Sequence, residues 1–425
     1  MKKISIGLIG LGTVGRGVLR ALSQKRKLFK KRFGIDLSLI KACDNNPKLR
    51  KKLKISPKLF TTKFQDVINN DEIDVVIELI GGINPAKDII IRSLQKGKNV
   101  ITANKALLAQ DMPSILALAK KKKVQVRFEA SVCGGIPIIK SLTEGLIANR
   151  LDSLVGIING TSNYILSRME EQEFSFFEAL SDAKKRGFAE RNPSLDIKGF
   201  DSAHKLAILA FLAFGKYVPQ EQIFVKGIKD ISPLDIKYAK ELGLVIKLLA
   251  IAKKVNGNIL EVRVHPTLIS KRHPLASING IFNAVYVTGD LVGDLMFSGR
   301  GAGQLPTTSA IISDLVDLAR QKNNLYFLKK SSMRIKRVDD VMSKYYIRFM
   351  AIDQPGVLSR ISGILARRKI SIASVTQKER RRAKVVPIIM LIHNAREKDI
   401  RLALEEIDRL AIIKKNAVVI HREEF

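Results

Sequence analysis

The sequence predicts an α/β protein in three parts: a doubly wound parallel sheet, an α+β region on a mixed sheet, and a small β-α-β-β-α-β module. Three observations carry this. The apolar run Ile4–Ile9 leads directly into a glycine loop, Gly10-Leu11-Gly12-Thr13-Val14-Gly15. Strand-like and helix-like segments then alternate up to about residue 128 at the spacing of βαβ units. From Tyr345 the rhythm changes to strand, helix, two strands, helix, strand. The 425 residues leave room for about three domains.

Ile4–Ile9 is an apolar run that reads as a buried parallel strand, and the helix after the glycine loop runs through Leu22. Ile35–Cys43 reads as the second strand and Val75–Ile80 as the third. A helix over Pro85–Lys96, a strand at Asn99–Thr102, a helix over Lys105–Lys120 and a strand at Val124–Glu129 complete the alternation. Helices at Pro137–Ala148, Tyr164–Glu171, Phe176–Arg186 and Ala203–Gly215 then mix with strands at Ser153–Asn159, Ile259–Pro266 and Ala284–Gly289. A helix at Thr307–Arg320 follows a second glycine loop, Gly299–Gly303. The charged stretch Lys329–Ser343 reads as a linker. The final module takes strands at Tyr346–Ile352, Ile370–Gln377, Val385–His393 and Ala417–His421, with helices at Val357–Arg368 and Glu397–Arg409. The predicted domains are 1–128 with a returning helix at about 303–322, then 129–302, a linker over 323–344, and 345–425.

Basic residues outnumber acidic ones 74 to 40, a net charge of +34. The basic clusters (Lys25–Arg32, Lys48–Lys54, Lys120–Lys123, Lys184–Arg186, Lys329–Arg337, Lys378–Lys384) are scattered through every region, without an aromatic ladder or nucleic-acid motif. They read as a Lys-rich solvated surface, and no nucleic-acid partner is expected. No apolar run reaches the ~18 residues of a membrane span, so no membrane partner is expected. Leu206–Phe214 is too short, and Leu244–Ala252 carries Lys247. Cys43 and Cys133 stand far apart with no C-x-x-C or Cys/His cluster, which predicts a reducing cytoplasm and no zinc site.

In the first loop Gly10 permits a tight turn, Gly12 lets backbone approach a pyrophosphate, and Gly15 lets helix and strand pack closely. That is the Rossmann-type arrangement, and it implies NAD or NADP. Asp44, ending the second strand, could take both ribose hydroxyls and favour NAD. Lys48, Arg50 and Lys51 follow closely and could instead bind a 2′-phosphate.

Gly187–Lys205 packs Glu190, Asp196, Asp201 and Lys205 into one stretch before the apolar L-A-I-L-A-F-L-A-F. Charges at the mouth of a buried helix are costly to desolvate, so they need partners or a task. Asp201 and Lys205 stand at i and i+4, on one face of a helix beginning near Ser202. An isolated D-x-x-x-K would be a capping acid with a solvated ion pair. Beside a dinucleotide loop it points to an oxidoreductase acting on a small polar substrate.

Six ordered blocks make the chain resemble homoserine dehydrogenase along nearly its whole length: G-L-G-T-V-G-R-G-V (10–18), I-T-A-N-K-A-L-L-A (101–109), E-A-S-V-C-G-G-I-P-I-I (129–139), G-I-I-N-G-T-S-N-Y-I-L (156–166), G-F-A-E-R-N-P-S-L-D-I-K-G-F-D-S-A-H-K-L (187–206) and G-R-G-A-G-Q-L-P-T (299–307). The resemblance implies interconversion of L-homoserine and L-aspartate 4-semialdehyde with a nicotinamide cofactor, in threonine, methionine and isoleucine biosynthesis. Lys205 matches the general acid/base. Lys105 matches a lysine touching cofactor and substrate, and Glu190 and Asp201 match the acids that hold the substrate. Asp196 would support them, and Gly187 would offer backbone. Gly301 and Gly303 match the cofactor side of the second glycine loop. Glu129, Val132, Gly134 and Ile136 match a structural monovalent-cation (sodium) site built largely from backbone oxygens. Two departures stand out: Asn192 where the family commonly has Asp, and Asp44 where many members carry Arg.

The last module resembles an ACT domain, through D-Q-P-G-V-L-S-R-I (353–361) and I-S-I-A-S-V-T-Q (370–377). The resemblance implies an amino-acid effector, threonine in this family, at Asp353, Pro355, Gly356 and Val357. It equally implies edge-to-edge pairing into a homodimer or homotetramer. With Met1 opening the dinucleotide strand, a monofunctional form is expected. Two other readings remain open on sequence. A thiol-dependent semialdehyde dehydrogenase would use Cys133 as nucleophile, with a nearby His. A non-enzymatic amino-acid sensor would leave Glu190, Asp201 and Lys205 without a task.

Overall fold

A computed structural model describes residues 1–320, 331–378 and 384–425. Residues 321–322 of the returning helix, 323–330 of the expected linker and 379–383 of the last basic cluster lie outside the described residues. The chain divides into two compact units. The first comprises Met1–Asp152, His204–Gln220 and Asn283–Ser332; the second comprises Ser153–Ala203, Glu221–Phe282 and Met333–Phe425.

In the first unit, β1 (Lys2–Ile9), β2 (Ile35–Cys43), β3 (Phe60–Thr61), β4 (Val75–Glu78), β5 (Asn99–Thr102) and β6 (Val126–Arg127) form one sheet. Its order is β3-β2-β1-β4-β5-β6 and every described pairing is parallel. β1 is buried without a break from Ile4 to Ile9, because helices cover both faces of such a sheet. The helix Thr13–Gln24 packs against the returning helix Gln304–Arg320. Gly17 sits at that crossing, where a Cβ would fall 2.2 Å from Thr308 Oγ1. The core joins Val18 and Leu22 of the first helix to Ile311 and Leu315 of the second.

The second unit begins with β7 (Leu151–Ile157), β8 (Phe224–Val225), β9 (Leu244–Val255) and β10 (Ile259–Ser270). β11 (Phe282–Gly289) and β12 (Gly293–Arg300) fall almost wholly in the first unit. β13 (Arg334–Ile335), β14 (Met342–Ile352), β15 (Ile372–Thr376), β16 (Val385–Arg396) and β17 (Ile413–Arg422) return to the second. Within it the strands run β7-β9-β10-β17-β14-β16-β15. The stretch β17-β14-β16-β15 is antiparallel throughout, with the helices Val357–Arg367 and Glu397–Ile407 sharing its core, which is the ferredoxin-like arrangement expected.

Two readings needed correction, and one strand was not anticipated. The expected helix Pro137–Ala148 is a single α-turn, Ile138–Lys140, running into a π-turn, Ser141–Gly145, with the Glu129 carboxylate holding its first N–H groups. Leu244–Ala252 is most of a twelve-residue strand, and its Lys247 is buried, donating to Ile278 O and Asn279 Oδ1. Burial pushes that amine down to about 8. Among the described residues, part of the expected linker is also built into the sheet. β13 and β17 both pair with β10, the latter through Thr267↔His421 and Leu268↔Arg422.

Charge is buried along this seam. Arg263 donates to Glu261 at 2.8 Å and to Glu423 at 2.6 Å, while Lys253 and Lys336 close on the same carboxylates. A second pair, Arg348 with both oxygens of Asp235, lies beside the Tyr346 hydroxyl. Breaking such a buried pair costs about 3–5 kcal/mol, because it strands the remaining charge. Removing residues 345–425 would therefore uncover Arg263 and Asp235 rather than free an independent core.

His265 and His421 stack at 3.9 Å inside the seam. Arg263 Nη1 lies 2.6 Å from His265 Nε2, and a guanidinium only donates, so that nitrogen accepts and His265 is neutral. Burial, then neighbouring positive charge for His265 and the His265 ring for His421, holds both well below the usual imidazole range. Unfolded histidine takes a proton near pH 6.5 while the folded pair does not. Stability should thus be full above that pH and fall below it, by up to about 1.4 kcal/mol per histidine per pH unit. Urea unfolding at about pH 7.5 and about pH 5.5 measures this, and His421→Phe should reduce the slope. An identical slope in the variant would contradict the assignment.

Candidate functional site

The glycine loop is shaped by what its residues cannot carry. A Cβ on Gly10 (φ +98°) would lie 2.7 Å from the Leu79 carbonyl, and one on Gly15 would lie 2.0 Å from Gly10 O. Gly12 has nothing within 4 Å of its absent Cβ, so its face is open. The helix starts at Thr13 with no side-chain cap and no acid in its first turn. Open backbone at an uncapped helix start fits a dinucleotide pyrophosphate. Leu11 contributes only backbone, since its side chain is fully buried. Val14 packs against the same core. Gln304 Nε2 donates to Thr13 O at 2.7 Å, holding the loop to the returning helix. Ahead of that helix, a Cβ on Gly301 would fall 2.0 Å from Asn283 Nδ2, and Gly303 turns with φ +119°.

Asp44 stands at the end of β2 as expected, but its carboxylate has structural work. Oδ2 accepts from Leu11 N at 2.8 Å and Oδ1 accepts from Asn46 N at 2.9 Å. The residue ties the glycine loop to the strand beside it.

Lys105 opens the helix Lys105–Lys122 immediately after β5, capped by Asn104, whose Oδ1 accepts from Leu107 N. Sequence reasoning missed what positions it. Buried Glu78 accepts from Ile80 N, Gly81 N and Thr102 Oγ1; Thr102 Oγ1 accepts from Asn104 N, and Asn104 Nδ2 donates to Gly82 O. This ring of hydrogen bonds joins the turn after β4 to the turn after β5, at the carboxyl edge where parallel sheets bind ligands. Glu78, an acid ending an apolar strand, was the available signal.

The carboxylates of the second unit are organised by another residue that the sequence reading passed over. Asn159 Nδ2 donates to Asp196 Oδ1 and to Asp201 Oδ2, each at 2.7 Å. Its Oδ1 accepts from Ser162 N and caps the helix Gly160–Gln172. The same first turn holds the Gly187–Gly199 loop twice more, through Thr161 Oγ1 to Phe188 O and Ser162 Oγ to Asp196 O. Gly187 (φ +75°) lies just past the helix Phe176–Lys185, and Glu190 is exposed on the loop. Asp201 lies inside the helix Phe200–Phe214 rather than ahead of it, and Lys205 follows one turn later on the same face; both are buried. The N-G-T-S sequence carried the capping signal but not the bridge to two distant acids.

Glu129 is buried, accepts from Ile139 N and Lys140 N, and donates its own N–H to Asp314. Desolvation pushes its carboxyl up to about 7. Val132 and Ile136 are buried around the left-handed pair Cys133 (φ +53°) and Gly134 (φ +42°), and Ile136 O accepts from Ile138 N. Among the described residues no group of three His, Cys, Asp or Glu side chains could hold a metal, so a cation here would rest on backbone oxygens. Cys133 is buried, with Asn283 Nδ2 at 3.7 Å from its sulfur.

In the terminal module a cavity of about 220 Å³ is lined by Asp353, Pro355, Gly356, Val357, Gln377 and Ile388. Gly356 (φ +84°) caps the helix Val357–Arg367, and Gln377 Nε2 lies 3.3 Å from Asp353 Oδ1.

Comparison with known proteins agrees along the whole chain. Residues 137–316 match the homoserine dehydrogenase family, 10–129 the homoserine dehydrogenase NAD-binding domain, and 345–411 the ACT domain. The homoserine dehydrogenase of Helicobacter pylori is 42% identical, over 99% of both chains. That of Neisseria gonorrhoeae is 40% identical, over 100% of this chain and 99% of its own. The crystal structure of a homoserine dehydrogenase from Thiobacillus denitrificans superposes with a TM-score of 0.93 at 42% identity, covering 100% of this chain and 99% of that one.

Because Asp44 holds the glycine loop, Asp44→Ala should weaken NAD and NADP binding alike, by about tenfold, the cost of leaving a backbone donor without its acceptor. Fluorescence titration with each cofactor measures this. A loss confined to NAD would show instead that the carboxylate serves the ribose.

Proposed function

The chain belongs to the homoserine dehydrogenase family, and on that premise we propose that it interconverts L-homoserine and L-aspartate 4-semialdehyde with NAD or NADP. The observation that carries this reading is the buried pair Asp201 and Lys205, a turn apart on one helix, with Asp201 held beside Asp196 by Asn159. The nicotinamide, when bound, supplies or receives the hydride. The glycine loop and the helix start at Thr13 hold its pyrophosphate, and Lys105 steadies both cofactor and substrate. Lys205 gives a proton to the aldehyde oxygen in reduction and takes it from the hydroxyl in oxidation. Glu190 takes the substrate ammonium, Asp201 orients the substrate, Asp196 supports Asp201, and Gly187 offers backbone. NAD and NADP both serve.

Around the site, Glu129 with the carbonyls of Val132, Gly134 and Ile136 forms an all-oxygen set suited to a hard monovalent cation such as sodium, in a structural role. The enzyme works in the cytoplasm on the route to threonine, methionine and isoleucine. It assembles as a homodimer or homotetramer through the terminal modules. The cavity at Asp353–Val357 takes an amino-acid effector, threonine. A nucleophilic role for Cys133 is not favoured, since its sulfur faces an amide inside the core.

Lys205→Ala should lower turnover by about 100-fold or more, with cofactor affinity unchanged. Initial rates of homoserine oxidation with NAD and with NADP test this, and near-normal turnover would remove the proton-transfer role. For the effector, threonine should inhibit the full-length enzyme and Gly356→Asp should abolish that response without altering uninhibited turnover. An enzyme indifferent to threonine up to about 10 mM, a concentration matching only ~3 kcal/mol of binding, would leave the module a pairing device.

A further inference from the structure

We propose that Asn159 is a positioning residue for the reaction, a two-armed clamp that fixes Asp196 and Asp201 relative to each other. The inference rests on the homoserine dehydrogenase reading and adds a residue to it. Its amide orientation is determined by its surroundings. Ser162 N is a donor and lies 2.8 Å from one end of the amide, so that end is the oxygen and the other is the NH2 group. Both amide protons then point at carboxylates, one to Asp196 and one to Asp201. Asn159 is 5% exposed and Asp201 3%, so the bond to Asp201 is a charge-assisted hydrogen bond shielded from water, while the bond to the half-buried Asp196 is partly so.

No other side chain of similar size performs both tasks. Aspartate at 159 would still cap the helix Gly160–Gln172, but would set a third carboxylate against the other two. Serine would still cap it, but would reach neither acid with a pair of donors. Asparagine alone among the good capping residues offers an acceptor to the helix and two donors to the acids. The clamp matters because the two acids come from different elements. Asp196 belongs to the short turn Ser194–Ile197, whose backbone Ser162 Oγ and Ile228 N also hold, and Asp201 belongs to the long buried helix. Through Asn159 the Asp196 carboxylate is set relative to Asp201 and to the start of the helix Gly160–Gln172. The loop also carries Glu190, so its registry sets where the substrate ammonium would sit relative to Asp201.

The test separates capping from clamping. Asn159→Ser retains a helix cap, so NAD(P) affinity should stay near wild type and melting temperature should fall only slightly, whereas Asn159→Asp, a third carboxylate in a buried place, should lower the melting temperature further. Homoserine KM should rise about tenfold or more in Asn159→Ser, with a smaller fall in kcat, and further in Asn159→Asp. A merely structural residue would lower melting temperature and leave the KM of the folded fraction alone. Wild-type KM and kcat in a well-folded Asn159→Ser would overturn the proposal. So would a melting-temperature loss that accounts for all lost activity. Wild-type enzyme that fails to oxidise homoserine in the same assay would overturn the family activity instead, and the two failures are read apart.

Discussion

Arg263 cannot be left alone. It sits in the middle of β10, 1% exposed along its side chain, and a guanidinium cannot shed its charge in a protein. Its position is tolerable only because Glu261 two residues away and Glu423 at the far end of the chain both reach it. That requirement fixes where the C-terminus must lie. β17 has to run beside β10 for Glu423 to arrive, Glu423 N then donates to Leu268 O, and the terminal module is brought in as an extension of the sheet. The arrangement contributes specificity of registry more than net stability, since desolvating these ions offsets much of what their attraction contributes.

Much of the first unit was legible because each of its devices is local. A strand buried on both faces, three glycines at fixed offsets and a following helix need no knowledge of distant residues, and Ile35–Cys43 and Asn99–Thr102 have the limits read from sequence. The lysine and carboxylates of the Gly187–Lys205 stretch were likewise visible as charges that a buried helix would not tolerate without cause. Residues that act across sequence were not visible. Asn159 reaches 37 and 42 residues ahead, and Glu78 reaches 24. Neither differs, as a sequence, from an ordinary cap or an ordinary strand end.

Over Arg334–Lys336 the linker reading differs from the structure for a related reason. Charge-rich segments are usually solvated, and Arg334–Lys336 looked like one. Here the chain instead lays Arg334 and Ile335 along β10 and spends Lys336 on Glu261, a buried acid whose need for a partner is set by the fold and not by its neighbours. The strand Leu244–Val255 carries the same lesson, since its interior Lys247 is buried and two oxygens around Ile278 satisfy it. Local charge density reports solvent exposure only when no distant acceptor exists.

The glycine-to-threonine crossing at Gly17 and Thr308 has a consequence for how the protein comes into being. The first unit is interrupted: its opening sheet is complete within the first 127 residues, but the helix that lies over Gly17 ends only at Arg320. On a ribosome adding about 5–20 residues per second, the nascent sheet waits on the order of ten seconds or more with Val18 and Leu22 uncovered. During that interval the second unit's first strands are already emerging. The order of synthesis therefore makes the dinucleotide half the earlier to start and among the later to close, and an apolar helix face is what the folding chain must keep shielded until the returning helix arrives.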